Sequence, residues 1–503
     1  MDCSRVFPMA ENARVVVWAL LILMIASMTV SCGGGGGNMT SMPSNATGTV
    51  TVSISDPPSC KKPNGNFAHV YITVRSVQAH IDPHADDNSS GWQELAPQLA
   101  SQPMQIDLFS ETQTNCVLAQ LGSASLPVGS YQQIRLLLVS NDPSAGSATP
   151  ASNACAGNGY NCAVMADGTM NELELSSQDN TGLKIPPGQI VGGPIQVMAG
   201  QSVDLNIDFN ACASIVQEGN GKMRLKPTLT AGQVSPNNSG IGGQILDSVT
   251  KAPIAGTVLV AVEQPDSTGA DRIVMEASAD GNGNFRFCPL PPGPFDVVVV
   301  AVGANNLPYN ATAAVNVPNG TSLNAIPLVA ETGASGPAIL QGFVTASGAS
   351  GGKQADVGVS ALQSVSFGTS PMTTRQLTIP LQTIQMTATT PALSSTTLLA
   401  VESNTNCPSG SPANANCAQY TLVVPGSNPS VGVFSSSGFT YSAPVSGEVP
   451  FVVDAIAAVP ASGGALDCSP SEVMTSTDAI NQPLKVTAGA TTNVARIDFM
   501  GCS

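Results

Sequence analysis

The side chains best suited to metal binding or acid–base catalysis occupy one short segment. They comprise the only histidines of the chain and two aspartates that follow them, namely His69, His80, His84, Asp86 and Asp87. Two imidazoles and a carboxylate can hold zinc or iron. His69 and His80, however, are eleven residues apart in an extended run, about 36 Å at 3.3 Å per residue, so they cannot share a metal unless the chain turns between them. Pro83 and the acidic residues beyond it are typical of a solvated loop, and we predict no metal site.

Other catalytic and metal-binding motifs are equally weak. A serine nucleophile needs a positioned histidine, and no histidine lies outside residues 69–84. The segment Asp280-Gly-Asn-Gly-Asn284 begins like a calcium-binding EF-hand loop. Its sixth and twelfth positions, however, are Phe285 and Pro291, where glycine and a bidentate glutamate are required. It predicts the turn of a tight hairpin instead, and we expect a protein that is not an enzyme and needs no cofactor.

The composition excludes several broad classes of protein. With 17 basic and 33 acidic residues the formal charge is −16, yet only 10% of the residues are charged, against about 25% in an ordinary soluble domain. A chain without clustered lysine and arginine is poorly suited to displacing counterions from phosphates, which argues against nucleic-acid binding. Hydrophobic residues make up 42% of the chain, too many for a wholly disordered protein.

The N-terminus has the pattern of a secretory signal peptide. Arg5 and Arg14 precede an apolar run at residues 15–28, and Ser31 and Cys32 follow it. The run is about 14 residues, or about 21 Å as a helix, which is shorter than the roughly 30 Å hydrocarbon core of a bilayer. We therefore predict export with removal of residues 1–31, rather than a permanent membrane span.

The junction Ser31-Cys32 resembles the bacterial lipobox, in which the cysteine is diacylated and becomes the mature N-terminus. Thr29 stands where that motif usually has leucine. Gly33 replaces the aspartate that often retains lipoproteins on the inner membrane, so the resemblance implies a lipid anchor in the outer membrane or at the cell surface. Residues 32–46 form a Gly-rich tether that would hold a folded body away from the membrane. The alternative is ordinary signal cleavage that leaves Cys32 unmodified.

The remaining cysteines indicate an oxidising compartment. Beyond Cys32 there are ten, and an even number in an exported chain predicts disulfides. Two predicted pairs enclose polar loops and the third joins the cysteines left in the last module: Cys155–Cys162, Cys407–Cys417 and Cys468–Cys502. No CxxC spacing or nearby histidine favours a metal at the close pairs. Partners stay open for Cys60, Cys116, Cys212 and Cys288.

Strand patterns begin after residue 46. Residues 48–54 and 67–81 alternate apolar and polar side chains, as half-buried strands do. Further strands are predicted near 104–108, 132–139, 172–175, 195–198, 203–209 and 224–230, with a short helix near 116–121. The spacing and the turn residues suit a β-sandwich.

Residues 47–235 carry a family resemblance. The segments Thr49-Val-Thr-Val-Ser-Ile-Ser-Asp-Pro-Pro58, His69-Val-Tyr-Ile-Thr-Val74 and Ile207-Asp-Phe209, together with Trp92 and residues 126–136, are similar to the family named domain of unknown function 4382. That family has no established activity. The resemblance implies a β fold and a surface-lipoprotein setting.

Two further modules are predicted. Residues 240–331 resemble the carboxypeptidase regulatory-like domain, a small prealbumin-like sandwich, through Gly240-Ile-Gly-Gly-Gln-Ile245 and Asp280-Gly-Asn-Gly-Asn-Phe-Arg-Phe287, although Thr257 replaces the usual alanine. Residues 336–503 form a third module, with strands predicted near 339–344, 357–362, 397–401, 420–424 and 451–458. Its segment Ile497-Asp-Phe499 repeats Ile207-Asp-Phe209, which suggests related modules in series.

These features predict an all-β protein made of tandem β-sandwich modules after a lipoprotein signal peptide, with module boundaries near 236–240 and 332–337. We predict a non-catalytic binding or adhesive role towards polysaccharide or surface proteins. Aromatic rings that stack on sugars are the expected contacts, and the candidates in or beside loops are Trp92, Tyr420 and Tyr441.

Two alternatives stay open. One is a structural spacer of a surface assembly, and the other is a hydrolase or an enzyme accessory protein. Several aromatics exposed on one face would favour binding, whereas convergence of His80, Asp82 and His84 in a cleft would favour an enzyme.

Overall fold

The computed structural model is built from β-strands. It describes residues 46–56, 67–83, 85, 88–110, 118–175, 182–185, 189–217, 222–225, 229–234, 240–266, 269–349, 351–352, 355–368, 372–380, 396–401, 403–405, 407–435, 438–444, 449–458 and 468–502. The helices assigned in these ranges are short 3-10 turns at Pro97–Ala100, Pro143–Ala145, Ala211–Ala213 and Ala304–Asn306. Within the described ranges, no helix has both the length and the apolar character needed to cross a bilayer. The all-β prediction is confirmed.

The first segment folds around a core between two large sheets. Its strands are β1 (Thr47–Ser55), β2 (Phe67–His80), β3 (Gln93–Glu94), β4 (Met104–Asp107), β5 (Ala119–Pro127), β6 (Gly129–Tyr131), β7 (Gln133–Leu138), β8 (Cys162–Met165), β9 (Met170–Leu175), β10 (Leu183–Ile185), β11 (Ile190–Val191), β12 (Ile195–Val197), β13 (Ser202–Phe209), β14 (Ile215–Gln217), β15 (Met223–Leu225) and β16 (Leu229–Gln233). One sheet has the order β11-β16-β13-β1-β5 and the other β10-β7-β2-β8-β9-β15-β14.

The helix predicted near 116–121 is wrong from Ala119 onward, because β5 pairs with β1 there. Cys116 lies outside the described residues.

The second segment contributes the strands β17 (Ile241–Asp247), β18 (Gly256–Pro265), β19 (Ala270–Ser278), β20 (Asn284–Phe287), β21 (Phe295–Gly303), β22 (Thr312–Val317) and β23 (Ser322–Leu328). The third contributes β24 (Ala338–Gly348), β25 (Gly351–Gly352), β26 (Ala355–Phe367), β27 (Thr373–Thr378), β28 (Thr396–Val401), β29 (Asn416–Val424), β30 (Ser430–Ser435), β31 (Gly438–Tyr441), β32 (Val449–Ala458), β33 (Glu472–Thr475), β34 (Lys485–Val486), β35 (Thr491–Asn493) and β36 (Ile497–Met500).

The second and third segments share one sheet. Its main path is β31-β30-β22-β21-β18-β19-β27-β26-β32-β33. Two parallel pairings join the segments, with Thr312 opposite Ser430 and Ala270 opposite Gln376. The regions 240–331 and 336–503 are therefore joined by strand pairing, which the predicted series of modules did not include.

The centre of this sheet is buried on both faces. In β18, Val258 and Val260 belong to the core of the second segment, whereas Leu259 between them belongs to a core with the third segment. Val297 and Val298 of β21 divide in the same way. Because a strand alternates its side chains between two faces, two adjacent cores require an unbroken apolar run.

All three predicted disulfides are present. They join Cys155 to Cys162, Cys407 to Cys417 and Cys468 to Cys502. In the first two pairs, the bonded cysteines are seven and ten residues apart in the sequence. In the chain-entropy account, such short loops stabilise the fold by about 3 kcal/mol or less each.

Cys212 of the first segment and Cys288 of the second are disulfide-bonded as well. These two segments touch directly, since the Thr230 hydroxyl donates a hydrogen bond of 3.2 Å to the carbonyl of Val274.

Candidate binding site

A polar cavity of about 390 Å³ lies on the small sheet β20-β17-β23. We call it the Gly242 pocket, and it is lined by Gly242, Gly243, Gln244, Asn284, Phe285, Arg286, Gly320, Thr321, Ser322 and Asn324. Gly242 of β17 pairs with Arg286 on one side and with Ser322 on the other. The centre of the sheet therefore has no side chain, while both neighbouring strands carry exposed polar ones.

The two floor glycines differ in what they tolerate. A Cβ on Gly243 would lie 2.2 Å from the carbonyl oxygen of Leu323, so this position excludes any side chain. A Cβ on Gly242 would lie 3.2 Å from the carbonyl oxygen of Phe285, so a side chain there requires the neighbouring strand to move by a few tenths of an ångström. A side chain at Gly242 would project from the pocket floor between Arg286 and Ser322.

The turn at residues 280–284 positions one wall of the pocket. The Asp280 carboxylate accepts the backbone N–H groups of Asn282 and Asn284, each at 2.8 Å. Gly283 has a φ of +77°, and a Cβ there would lie 2.2 Å from the carbonyl oxygen of Ile245, so glycine is required. The predicted turn is present, but β19 and β20 belong to different sheets, so it connects two sheets rather than closing a hairpin.

The lining is polar and contains no acidic residue. Its one charged group is Arg286, whose Nε donates a hydrogen bond of 3.3 Å to the Cys288 sulfur. The Gln244 amide is held by the carbonyl of Asn282 at 3.1 Å. Amides and hydroxyls both donate and accept hydrogen bonds, so the pocket suits a ligand rich in hydroxyl groups.

The predicted aromatic residues do not form one surface. Tyr420 is fully buried, and burial raises the pKa of its hydroxyl far above the usual value. Its ring packs against Gly342, where even a Cβ would lie 2.5 Å from the hydroxyl oxygen. The predicted role of Tyr420 as a ligand contact is therefore wrong, because the ring belongs to a core.

Trp92 lies in the first segment and is only half-buried. The guanidinium carbon of Arg135 is 4.0 Å from the centre of its ring, and the His80 ring centre is 5.1 Å away. The cation over the indole is a favourable electrostatic contact. It also covers a ring face that a sugar would need.

Tyr441 belongs to an aromatic group on the hairpin β30–β31. It stacks on Phe439 with ring centres 6.0 Å apart, and Phe439 contacts Phe434 at 5.4 Å. Tyr441 and Phe439 pack against the core of the second segment, which leaves Phe434, at 37% exposure, as the most open ring. Sequence reasoning missed both phenylalanines, although Phe439 and Tyr441 are two residues apart and so share a strand face.

The histidines do not assemble into a catalytic or metal site in the described ranges. His80 Nδ1 accepts the backbone N–H of Asp82 at 2.9 Å, and its Nε2 lies 3.0 Å from the carbonyl of Ser90. His69 pairs with Asp107 at 2.7 Å. No group of three metal-ligating side chains occurs among the described residues; His84, Asp86 and Asp87 lie outside them.

A short segment after β24 contains the sequence motif of serine hydrolases. Residues 348–352 read Gly-Ala-Ser-Gly-Gly, which fits the GxSxG pattern of serine hydrolases. They connect β24 to β25 as an antiparallel hairpin, whereas the nucleophile of those enzymes lies between a strand and a helix. Ser350 itself lies outside the described residues.

Comparisons with known proteins give few functional clues. No curated protein matches the sequence. Similar solved structures include the Bacillus anthracis TIE protein, with 9% identity, a TM-score of 0.14 and coverage of 90% of this chain and 50% of that one. The chain thus spans about half the length of that protein.

Two pilins are also similar. The shaft pilin SpaA of Lactobacillus rhamnosus GG has 9% identity, a TM-score of 0.17 and coverage of 57% of this chain and 97% of that one. The streptococcal ancillary pilin has 9% identity, a TM-score of 0.16 and coverage of 90% and 99%. At such TM-scores these likenesses do not bear on function. The informative comparison is with the family described as "Domain of unknown function (DUF4382)", whose sequence model matches residues 47–227.

Proposed function

We propose that the protein is a non-catalytic, exported surface protein that binds carbohydrate at the Gly242 pocket. The observation that carries this proposal is the cavity of about 390 Å³ with its amide, hydroxyl and guanidinium lining. Concave sites with a few convergent polar groups are the default place for small-ligand recognition. The pocket lies within residues 240–331, whose resemblance to the carboxypeptidase regulatory-like domain is part of the proposal.

The location rests on the N-terminal sequence. Residues 1–31 act as the signal peptide, and residues 32–46 are the tether, which carries the lipid at Cys32 and connects the anchor to the first strand. Disulfides throughout the described chain agree with an oxidising compartment. The anchor belongs to the outer membrane or the cell surface.

Cys32→Ser should abolish fatty-acid labelling and move the protein from the membrane fraction to the soluble fraction. Two acyl chains anchor a protein stably where one holds it only weakly, so the shift should be nearly complete. Metabolic labelling with a palmitate analogue, followed by fractionation, measures both effects. Labelling that persists in the variant would refute the lipid anchor.

Carbohydrate binding should be lost when the pocket is filled. Residues 47–503 are screened on a glycan array, and Gly242→Val is compared with the unchanged protein. The matched control is Gly358→Val, since Gly358 also lies in a strand and its Cβ would meet nothing within 4 Å. We expect Gly242→Val alone to lose binding, with circular dichroism showing that both variants are folded at the assay temperature. An array without any bound glycan would refute the proposal.

A structural spacer is the second candidate function. It is favoured by the sheet that the second and third segments share. Arg272 of the second segment also pairs with Asp454 and Glu472 of the third. Such a joint resists bending, and an empty glycan array would make this function the better one.

A further inference from the structure

We propose that the ligand of the Gly242 pocket is a saccharide bearing a carboxylate, which Arg286 binds. This inference rests on the proposed function and names the ligand class of the same site. It follows from the availability of one guanidinium, from the charge of the lining, and from the spacing of the strands that form the walls.

Arg286 is fixed in place with its charged end available. Its neighbours in β20, Phe285 and Phe287, are buried in the core with ring centres 5.7 Å apart. Because successive side chains of a strand point to opposite faces, Arg286 faces outward and is exposed. Within the described chain its only side-chain hydrogen bond is from Nε to the Cys288 sulfur, so both Nη groups can bind a carboxylate in a bidentate manner.

The charge of the lining selects for an anion. The chain has 33 acidic and 17 basic residues, yet the residues that line this cavity include no carboxylate and one guanidinium. An anionic group entering the pocket therefore meets one positive charge and no carboxylate among the lining residues, while the nearby Asp280 carboxylate is occupied by the backbone and side-chain N–H groups of Asn284. Charge-assisted hydrogen bonds of this kind are stronger than neutral ones.

The remaining walls suit sugar hydroxyls better than a peptide. Arg286 and Ser322 flank Gly242 from the two neighbouring strands, which places their backbones about 10 Å apart at roughly 4.8 Å per strand. The floor between them is bare, and Asn324 and Gln244 add amide groups. The only large apolar residue of the lining, Phe285, is buried. A peptide side chain would find no apolar wall, whereas a sugar ring finds donors and acceptors on both sides.

The test uses two ligands with the same sugar rings, trigalacturonic acid and its fully methyl-esterified form, in which each carboxylate is replaced by a neutral ester. Calorimetry with residues 47–503 should show that the acid binds at least about tenfold more tightly, as expected for hydrogen bonds to a charged group. Arg286→Gln should weaken binding of the acid by about ten- to a hundredfold and leave binding of the ester within about twofold. Lys251→Gln removes the same charge at an exposed turn outside the pocket, and should change neither affinity.

The possible outcomes separate this inference from the function on which it rests. Equal binding of acid and ester, unchanged by Arg286→Gln but lost in Gly242→Val, would keep the carbohydrate site and overturn the role of Arg286. An acidic tripeptide that binds through Arg286 as tightly as trigalacturonic acid would replace the saccharide with a peptide. Absence of binding to either sugar and to the glycan array would overturn both proposals.

Discussion

Lowering the pH from 8 to 5 should raise the melting temperature of the protein by several degrees. Burial raises the pKa of Asp208 to about 7 and that of Asp454 to about 6, the latter against the opposing charge of Arg272. Desolvation also raises the pKa values of Asp56 and Glu263. Because the removal of these side chains from water disfavours their charged forms, they keep their protons to higher pH in the folded state.

The sign of the pH effect follows from proton uptake. For each raised carboxyl, the folded chain holds a proton that the unfolded chain has released between about pH 4 and the folded pKa, so stability falls as the pH rises through that window. For Asp208 the window ends near 7, and the change between pH 5 and pH 8 is about 3 kcal/mol. Exposed Asp142, whose pKa is lowered by its hydrogen bonds to Ser144, acts in the opposite sense only below about pH 4.

Asp208→Asn tests the assignment of this effect. The amide imitates the neutral acid and can still accept the hydrogen bond of 2.8 Å from the Ser55 hydroxyl. The variant should be more stable than the parent at pH 8, equal to it near pH 4, and less dependent on pH between them. Asp204→Asn is the matched control, since Asp204 lies in the same strand but is exposed. Thermal unfolding followed by circular dichroism measures all three proteins, and equal pH slopes in them would contradict the prediction.

The fold class was accessible from the sequence because strand patterns are local. The alternation of Val50, Val52 and Ile54 predicted a strand with one buried face, and all three are buried in β1. The three disulfides were predictable as well, because two of them close short polar loops and the third joins the two cysteines left in the last module. The shared sheet was not, because Thr312 pairs with Ser430 across more than a hundred residues. One clue existed: the unbroken apolar run around Val297 is what a strand between two cores requires.

The candidate site was less accessible. In the sequence, Gly242 belongs to a segment that resembles a family motif. That it leaves the floor of a pocket without a side chain depends on the strand register, which places Arg286 and Ser322 on either side of it. Trp92, Tyr420 and Tyr441 are candidate sugar contacts because they lie in or beside predicted loops. Tyr420, however, lies inside β29 with its ring in a core. Burial of one side chain depends on distant strands, which sequence spacing does not specify.

Arg375→Met should lower the free energy of unfolding by about 3 to 5 kcal/mol, the usual cost of leaving a buried charge without its partner. Arg375 of β27 pairs with Asp296 of β21 and donates a hydrogen bond of 2.9 Å to the Asn316 side chain. Asp296 is fully buried, and burial and the nearby Asp296 carboxyl raise the pKa of Asp271. Without the guanidinium, the buried Asp296 carboxylate would lose the ion pair that the structure gives it.

Asp296→Asn combined with Arg375→Met should recover much of the lost stability, because the double variant removes the carboxylate that Arg375→Met leaves without its ion-pair partner. Lys222→Met is the control for loss of an ion pair as such: Lys222 and Glu174 are 3.3 Å apart but largely exposed, and exposed pairs contribute about 0 to 1 kcal/mol. Urea denaturation measures each variant. If Arg375→Met cost no more than Lys222→Met, the pair would not stabilise the joint. A large loss that Asp296→Asn restores would show that the joint between the second and third segments depends on neutralising its buried acids, and not on the cation itself.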